Sequence, residues 1–212
     1  MSFDFPNARL LIFAKAPVPG QVKTRLAGHL GTRGAAGLYQ KLLHRTLRIA
    51  HAARLCPLEL WCAPDARHGC FIACRREYGA RLRRQGAGDL GRRMNHALNR
   101  TLAAGHPAVL IGGDCASLGE AELRAAFSLL TAGYEAVLGP AADGGYLLIG
   151  LNRPGPALFR GVAWGTPTVL AATRRRLRRA GMNWVELPPG WDVDTPADLR
   201  RLRRSGPPAA PS

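Results

Sequence analysis

Short apolar runs alternate along this chain with longer stretches in which apolar residues recur at helical intervals. Arg9 to Ala14 (R-L-L-I-F-A) is one such run, and it ends in a loop rich in proline and glycine, the pattern of a buried strand feeding a turn. Leu58 to Cys62, Ala108 to Ile111, Ala136 to Leu138 and Tyr146 to Leu151 repeat the pattern, while Ala35 to Ala53, Gly91 to Ala104 and Glu120 to Thr131 carry helical spacing. Alternation of this kind predicts an α/β fold, a mostly parallel central sheet with helices on both faces. In such sheets ligands bind beyond the carboxyl ends of the strands, so the loops that follow the runs are where chemistry is expected. No internal repeat or linker divides the chain, which predicts one domain over residues 1–204. The tail Ser205 to Ser212 (S-G-P-P-A-A-P-S) has nothing to bury and is expected to be disordered.

Composition narrows the class. The 212 residues are 47% hydrophobic and 21% charged, enough to build a core and incompatible with a disordered chain. No apolar run reaches the roughly 18 to 20 residues of a bilayer span. Met1 to Pro6 lacks the pattern of an export signal, so the cytoplasm is the expected location. Thirty Lys plus Arg against fourteen Asp plus Glu give +16, a field that attracts nucleic acid, membrane headgroups, nucleotides or phosphorylated metabolites. The arginine clusters Arg174 to Arg179 and Arg200 to Arg204 read as solvated helix faces, because no aromatic residues interleave with them as stacking platforms. A non-catalytic, arginine-rich nucleic-acid binder is the reading from another class. The five cysteines are an odd number with no C-x-x-C pair, so they read as reduced thiols, and the six histidines show no ligand spacing.

Five segments could carry chemistry. Lys15 to Leu26 reads K-A-P-V-P-G-Q-V-K-T-R-L, in which Gly20 permits a tight turn and Lys23, Thr24 and Arg25 follow where a helix would begin. This is either a polyphosphate cradle or a plain turn with solvated cations; it is neither a Walker A loop nor G-x-G-x-x-G. Asp114 follows an apolar strand and two glycines, where a carboxylate suits a hard divalent cation or, alternatively, caps the helix after Leu118. In W-D-V-D-T-P-A-D-L the alternation places Asp192 and Asp194 on one face of an extended segment. Thr195 and Pro196 then start a helix, with Asp198 in a capping position, so Asp194 is the better ligand candidate. Asp143-Gly144-Gly145-Tyr146 fits a hairpin turn and a substrate loop equally. Gln85 to Gly91 (Q-G-A-G-D-L-G) is either a loop in which Asp89 caps a helix or a place where a planar base approaches the backbone beside Gln85.

Taken in order, K-A-P-V-P-G-Q-V-K-T-R-L, Q-G-A-G-D-L-G-R-R-M, G-G-D, G-P-A-A-D-G-G-Y-L-L-I-G-L and D-V-D-T-P-A-D-L resemble the small bacterial glycosyltransferase-like proteins of the GT-A nucleotide-diphospho-sugar transferase superfamily, relatives of 2-phospholactate guanylyltransferase. The resemblance spans Ile12 to about Leu202. It implies a single Rossmann-like GT-A domain that binds a nucleotide sugar or nucleoside triphosphate with Mg²⁺ or Mn²⁺ and transfers to a small acceptor, without specific nucleic-acid binding. Transfer of the sugar is the leading expectation, and nucleotidyl transfer with release of pyrophosphate is the alternative. The resemblance further implies catalytic roles for Lys23, Arg25 and Asp143. Lys15, Gly20, Lys23, Thr24, Arg25, Gln85, Gly88 and Gly113 would bind the nucleotide, Asp143, Gly144, Gly145, Trp164 and Thr166 the sugar or acceptor, and Asp114 and Asp194 the metal. The chain departs from the family pattern twice: Ala116 stands where G-x-D-x-P has proline, and Gly165 where W-S-T has serine.

Overall fold

The computed structural model describes residues 2–204; the expected disorder of Ser205 to Ser212 lies outside the described residues. Seven strands form one sheet: β1 (Arg9–Lys15), β2 (Leu58–Ala63), β3 (Arg81–Arg84), β4 (Ala108–Gly112), β5 (Ala136–Pro140), β6 (Tyr146–Leu151) and β7 (Trp184–Glu186), in the spatial order β3-β2-β1-β4-β6-β5-β7. Among the described residues only β6 runs antiparallel to its neighbours, β4 and β5. Six α-helices cover the sheet: α1 (Ala27–Ala53), α2 (Gly69–Tyr78), α3 (Leu90–Ala103), α4 (Glu120–Thr131), α5 (Val169–Arg179) and α6 (Pro196–Arg204).

The two-residue period of β1 assigns its side chains to the two faces. Leu10, Ile12 and Ala14 pack with Leu43 and Leu47 of α1, Phe71 and Cys74 of α2, and Phe127 of α4. Leu11 and Phe13 pack on the opposite face with Met94 and Leu98 of α3 and Leu170 and Leu177 of α5. Both faces are therefore sealed by apolar burial, the main favourable contribution to folding at about 25 cal/mol per Å².

Three elements do not announce themselves as apolar runs. β3 reads R-L-R-R, and its Arg83 donates to the buried carboxylate of Glu59 at 3.1 and 3.2 Å, while Trp61 donates to the other oxygen at 3.1 Å. Cross-strand charge pairing holds this edge strand where apolar patterning is absent. The buried stripe of α2 is Cys70, Phe71, Cys74 and Tyr78, in which cysteine serves as a small apolar residue. β7 is a three-residue strand, and Glu186 at its end accepts both nitrogens of an Arg174 fork at 2.6 and 2.7 Å. That contact also removes Arg174 from the set of free surface cations.

Candidate active site

Strand order reverses between β1 and β4, since β2 and β3 lie to one side of β1 and β4 to the other. That switch point opens a crevice beyond the strand ends. Lys15 closes β1, and Gly112 closes β4 just before Asp114. The chain leaves β1 through a turn in which Gly20 has φ +80°, and Lys23 then adopts the left-handed conformation (φ 45°, ψ 42°). For a residue with a side chain this conformation costs on the order of 1 kcal/mol or more, and it persists only where the surroundings enforce it.

Ion pairing supplies that enforcement. The Lys23 ammonium lies 2.6 Å from Asp114 Oδ2, 3.0 Å from Asp194 Oδ1 and 3.6 Å from Asp192 Oδ1, with 4% of its side chain exposed. Burial alone would lower the lysine pKa, but the charges of Asp114, Asp192 and Asp194 together outweigh it and raise the value, so Lys23 is fully charged. Burial, and then the charge of Asp114, push Asp192 up to about 7 against the opposing pull of Lys23. Asp192 and Asp194 reach the same ammonium because residues two apart in an extended segment share a face, with Val193 buried between them.

The other readings of these acids separate cleanly. Asp198 accepts from the Thr195 N–H at 2.8 Å, the Thr195 hydroxyl at 2.6 Å and the Asp194 N–H at 3.2 Å, so it organises the start of α6. Asp114 does not cap α4, whose first turn is closed by Glu122 accepting from the Gly119 N–H at 2.8 Å. Ala116, where the family pattern has proline, is buried beside Leu26, Leu42 and Val193.

Three cavities follow the crevice. One of about 540 Å³ lies over Lys23, Asp114 and Asp194 and is bordered by Lys15, Thr24 and Arg25. Arg25 is 72% exposed and 4.0 Å from Asp194, free to turn toward an anion. A second cavity, of about 670 Å³, extends past Gln85, Gly86 and Ala87 and shares Lys15, Gln21, Gln85 and Arg93 with the first. A third, of about 250 Å³, lies on the other side, where Asp143, Gly145, Trp164 and Thr166 meet Leu90 and Met94.

Several sequence-predicted residues are placed differently from expectation. Gln85 spends its amide donor on the backbone carbonyls of Ala14 (3.2 Å) and Trp61 (2.8 Å), leaving only its carbonyl oxygen for a base. Gly113 is buried, with its N–H bonded to the Phe13 carbonyl at 2.8 Å, and a Cβ there would come within 2.8 Å of Leu43. Its glycine is a packing requirement, and Gly112 lines the cavity instead. Gly88, at φ +97°, packs against Arg92 and borders none of the three cavities described, while Asp89 caps α3 by accepting from the Arg92 N–H at 2.8 Å. Asp143 forms an Asx turn with the Gly145 N–H at 2.9 Å. Gly144, at φ +85°, sits so close to Pro167 that a Cβ would meet its carbonyl oxygen at 2.2 Å. Thr166 bonds the Ala163 carbonyl and Thr168, and Gly165 has φ +78°. The structure adds Tyr39, which borders the first cavity and accepts from the Lys15 N–H at 2.8 Å, and Arg93, both of which lie in helical stretches with no distinguishing spacing.

The acidic cluster has the donor set that Mg²⁺ or Mn²⁺ prefers, carboxylate oxygens converging on one point. Three carboxylates around one lysine leave net negative charge when all are ionised, and the oxygens of Asp114 and Asp194 already share a single cationic partner. Their chemistry suits a divalent ion, which would share or take the place that the Lys23 ammonium holds between the carboxylates.

The mostly parallel seven-stranded sheet with one antiparallel strand fits the GT-A-like nucleotidyl and sugar transferase superfamily. The chain belongs to DUF2064, the family described as an uncharacterized protein conserved in bacteria, whose profile matches residues 46–166. Among solved structures it is similar to a protein of Desulfovibrio desulfuricans G20, provisionally assigned as a nucleotide-diphospho-sugar transferase, with 32% identity over 97% of this chain and 90% of that one and a TM-score of 0.85. It shares its fold with 4-diphosphocytidyl-2C-methyl-D-erythritol synthase of Anaerococcus prevotii DSM 20548 at 11% identity, 94% and 96% coverage and a TM-score of 0.59. CMP:2-keto-3-deoxy-manno-octonic acid synthetase is a further structure of this fold, at 11% identity, 94% and 98% coverage and a TM-score of 0.57. Among curated proteins, no sequence matches the chain. Among the described residues no helix is long and apolar enough to cross a membrane.

Proposed function

We propose that this protein is a metal-dependent transferase that binds a nucleotide sugar and moves the sugar to a small acceptor. The observation that carries the proposal is the convergence of Asp114, Asp192 and Asp194 on Lys23 at the sheet's switch point, where Lys23, Asp114 and Asp194 line the first cavity. Similarity to the Desulfovibrio desulfuricans G20 protein supports the substrate class. Asp114 and Asp194 would hold Mg²⁺ or Mn²⁺, which when bound neutralises charge on a diphosphate leaving group. Arg25, Lys15 and Arg93 border the cavity where that diphosphate would lie, and fixed cations there stabilise charge that grows as the bond to the sugar breaks. The Gln85 carbonyl oxygen and the backbone of Gly86 and Ala87 face the space left for the base. Asp143 lines the third cavity with one oxygen taken by Gly145, and its second oxygen would accept the proton of an acceptor hydroxyl. Phe13, Met94 and Trp164 make that cavity a largely apolar enclosure, suited to a small acceptor with one polar end.

Nucleotidyl transfer is the second reading, favoured by the cations ringing the first cavity, which suit a triphosphate as well as a diphosphate. A nucleic-acid binder is disfavoured: Arg174 is locked to Glu186, Arg176 to the backbone at Arg160, and Arg201 lies 4.3 Å over Trp191. A thermal-shift screen of nucleotides and nucleotide sugars, with and without Mg²⁺ or Mn²⁺, tests the proposal. Metal-dependent stabilisation by a nucleotide sugar, followed by release of nucleoside diphosphate, is the expected result. Pyrophosphate release from a nucleoside triphosphate would establish the second reading, and stabilisation by none of them would refute both.

A further inference from the structure

A second group of ligand atoms lies away from the crevice, where α1 packs on α2. His44 of α1 directs Nε2 at two thiols of α2, 4.0 Å from Cys70 Sγ and 3.9 Å from Cys74 Sγ, and the three atoms all lie within 4.8 Å of one another. The cysteines stand one helical turn apart and so face the same way. On its outer side the imidazole places Nδ1 3.1 Å from the Tyr78 hydroxyl and 3.5 Å from Glu77 Oε2. A carboxylate beside Nδ1 favours the tautomer protonated there, which turns the Nε2 lone pair toward the sulfurs.

A hydrogen-bonded core accounts for only part of this. One imidazole lone pair cannot accept well-aligned bonds from two thiols at once, yet both sulfurs approach it equally. We propose that His44, Cys70 and Cys74 form a binding site for a thiophilic metal ion, Zn²⁺, that ties α2 to α1. Zinc bonds of about 2.3 Å to sulfur and 2.0 to 2.1 Å to nitrogen at the tetrahedral angle set sulfur to nitrogen separations of about 3.5 to 3.6 Å, so closure requires movements of roughly 0.3 to 0.5 Å. Two thiolates and a neutral imidazole give Zn²⁺ a neutral site, whereas Cu⁺ would leave a net negative charge among buried groups. Cys70 and Cys74 are 8% and 0% exposed, and the edge of His44 beside Glu77, with 27% of the His44 side chain exposed, gives the ion its way in. Binding replaces two S–H bonds by two Zn–S bonds and releases both protons to solvent. The oxygen donors of the crevice and the sulfur donors of this cluster thus select different ions from one solution.

The test uses the full chain, reduced and stripped of metal. Titration with Zn²⁺ against a chromophoric chelator is expected to give one ion per chain at this site, with proton release and a higher thermal midpoint, and Co²⁺ is expected to give a thiolate-to-metal charge-transfer band. Cys70→Ser and His44→Gln are each expected to weaken Zn²⁺ binding more than about 100-fold and to remove or shift that band, whereas Asp114→Ala keeps it. Should Cys70→Ser fail to fold, His44→Gln and the wild-type Co²⁺ spectrum still decide. Absence of the band in wild type, Zn²⁺ binding unchanged in Cys70→Ser and His44→Gln, or a Cys70 to Cys74 disulfide in the protein as purified would each overturn the proposal.

Discussion

The two halves of the crevice are built on opposite principles. On the side of β1 the floor is charge held against its own tendency to stay in water: a buried lysine, three aspartates and a strained backbone at Lys23. On the side of β6 the floor is close packing, with Tyr146 edge-on to Trp164 at 6.3 Å, Trp164 stacked on Phe159 at 6.5 Å, and glycines 91 and 144 where a Cβ would collide with these walls or with Pro167. A site that must hold a pyrophosphate and its counter-ion needs preorganised charge, while one that must keep water from an acceptor needs shape. The difference predicts that damage to the first half appears as lost ionic balance, and damage to the second as lost packing.

Lys23→Met should have the largest effect on stability, because it leaves three carboxylates facing one another. A loss of about 2 to 3 kcal/mol in denaturant unfolding is expected, and Mg²⁺ or Mn²⁺ should restore part of it by replacing the ammonium. No recovery with metal would mean that the acids do not form a cation site. Next, Asp114→Ala should weaken metal-dependent nucleotide binding by about 100-fold or more in calorimetry and leave the circular dichroism spectrum unchanged. In the packed half, Gly144→Ala should cost about 1 to 3 kcal/mol of stability and raise the acceptor KM, with nucleotide affinity changed little. Equal losses for nucleotide and acceptor would erase the distinction between the halves. Arg25→Ala, at an exposed position, should leave the thermal midpoint within a degree or two and weaken nucleotide binding by roughly fivefold, an effect that shrinks as salt rises.

Much of this arrangement was legible in the sequence, and the remainder has identifiable causes. The apolar runs marked five of the strands because those strands are buried on both faces, and the loops after β1 and β4 could be singled out from the direction of a parallel sheet alone. Alternation in W-D-V-D placed Asp192 and Asp194 together, and the T-P-A-D pattern correctly set Asp198 aside as a helix-start residue. Periodicity missed α2 because its inward stripe uses cysteines, and missed β3 because arginine paired with the buried Glu59 replaces apolar side chains there. The left-handed turn at Lys23, which swings its ammonium among the aspartates, has no local signature, since neither glycine nor asparagine marks the position. Gln85 was legible as a residue of the crevice and Gly113 was not correctly separated from Gly112; the use of both by backbone carbonyls depends on neighbours from β1 and β2.

Electron paramagnetic resonance of Mn²⁺ bound to the full chain tests the central claim most directly, because manganese favours oxygen donors and reports its own binding. One tightly held Mn²⁺ per chain is expected in the presence of a stabilising nucleotide, lost in Asp114→Ala and in Asp194→Ala and retained in Cys70→Ser. Mn²⁺ binding that survives both aspartate substitutions, or that never occurs in the wild-type protein with nucleotide, would contradict that claim.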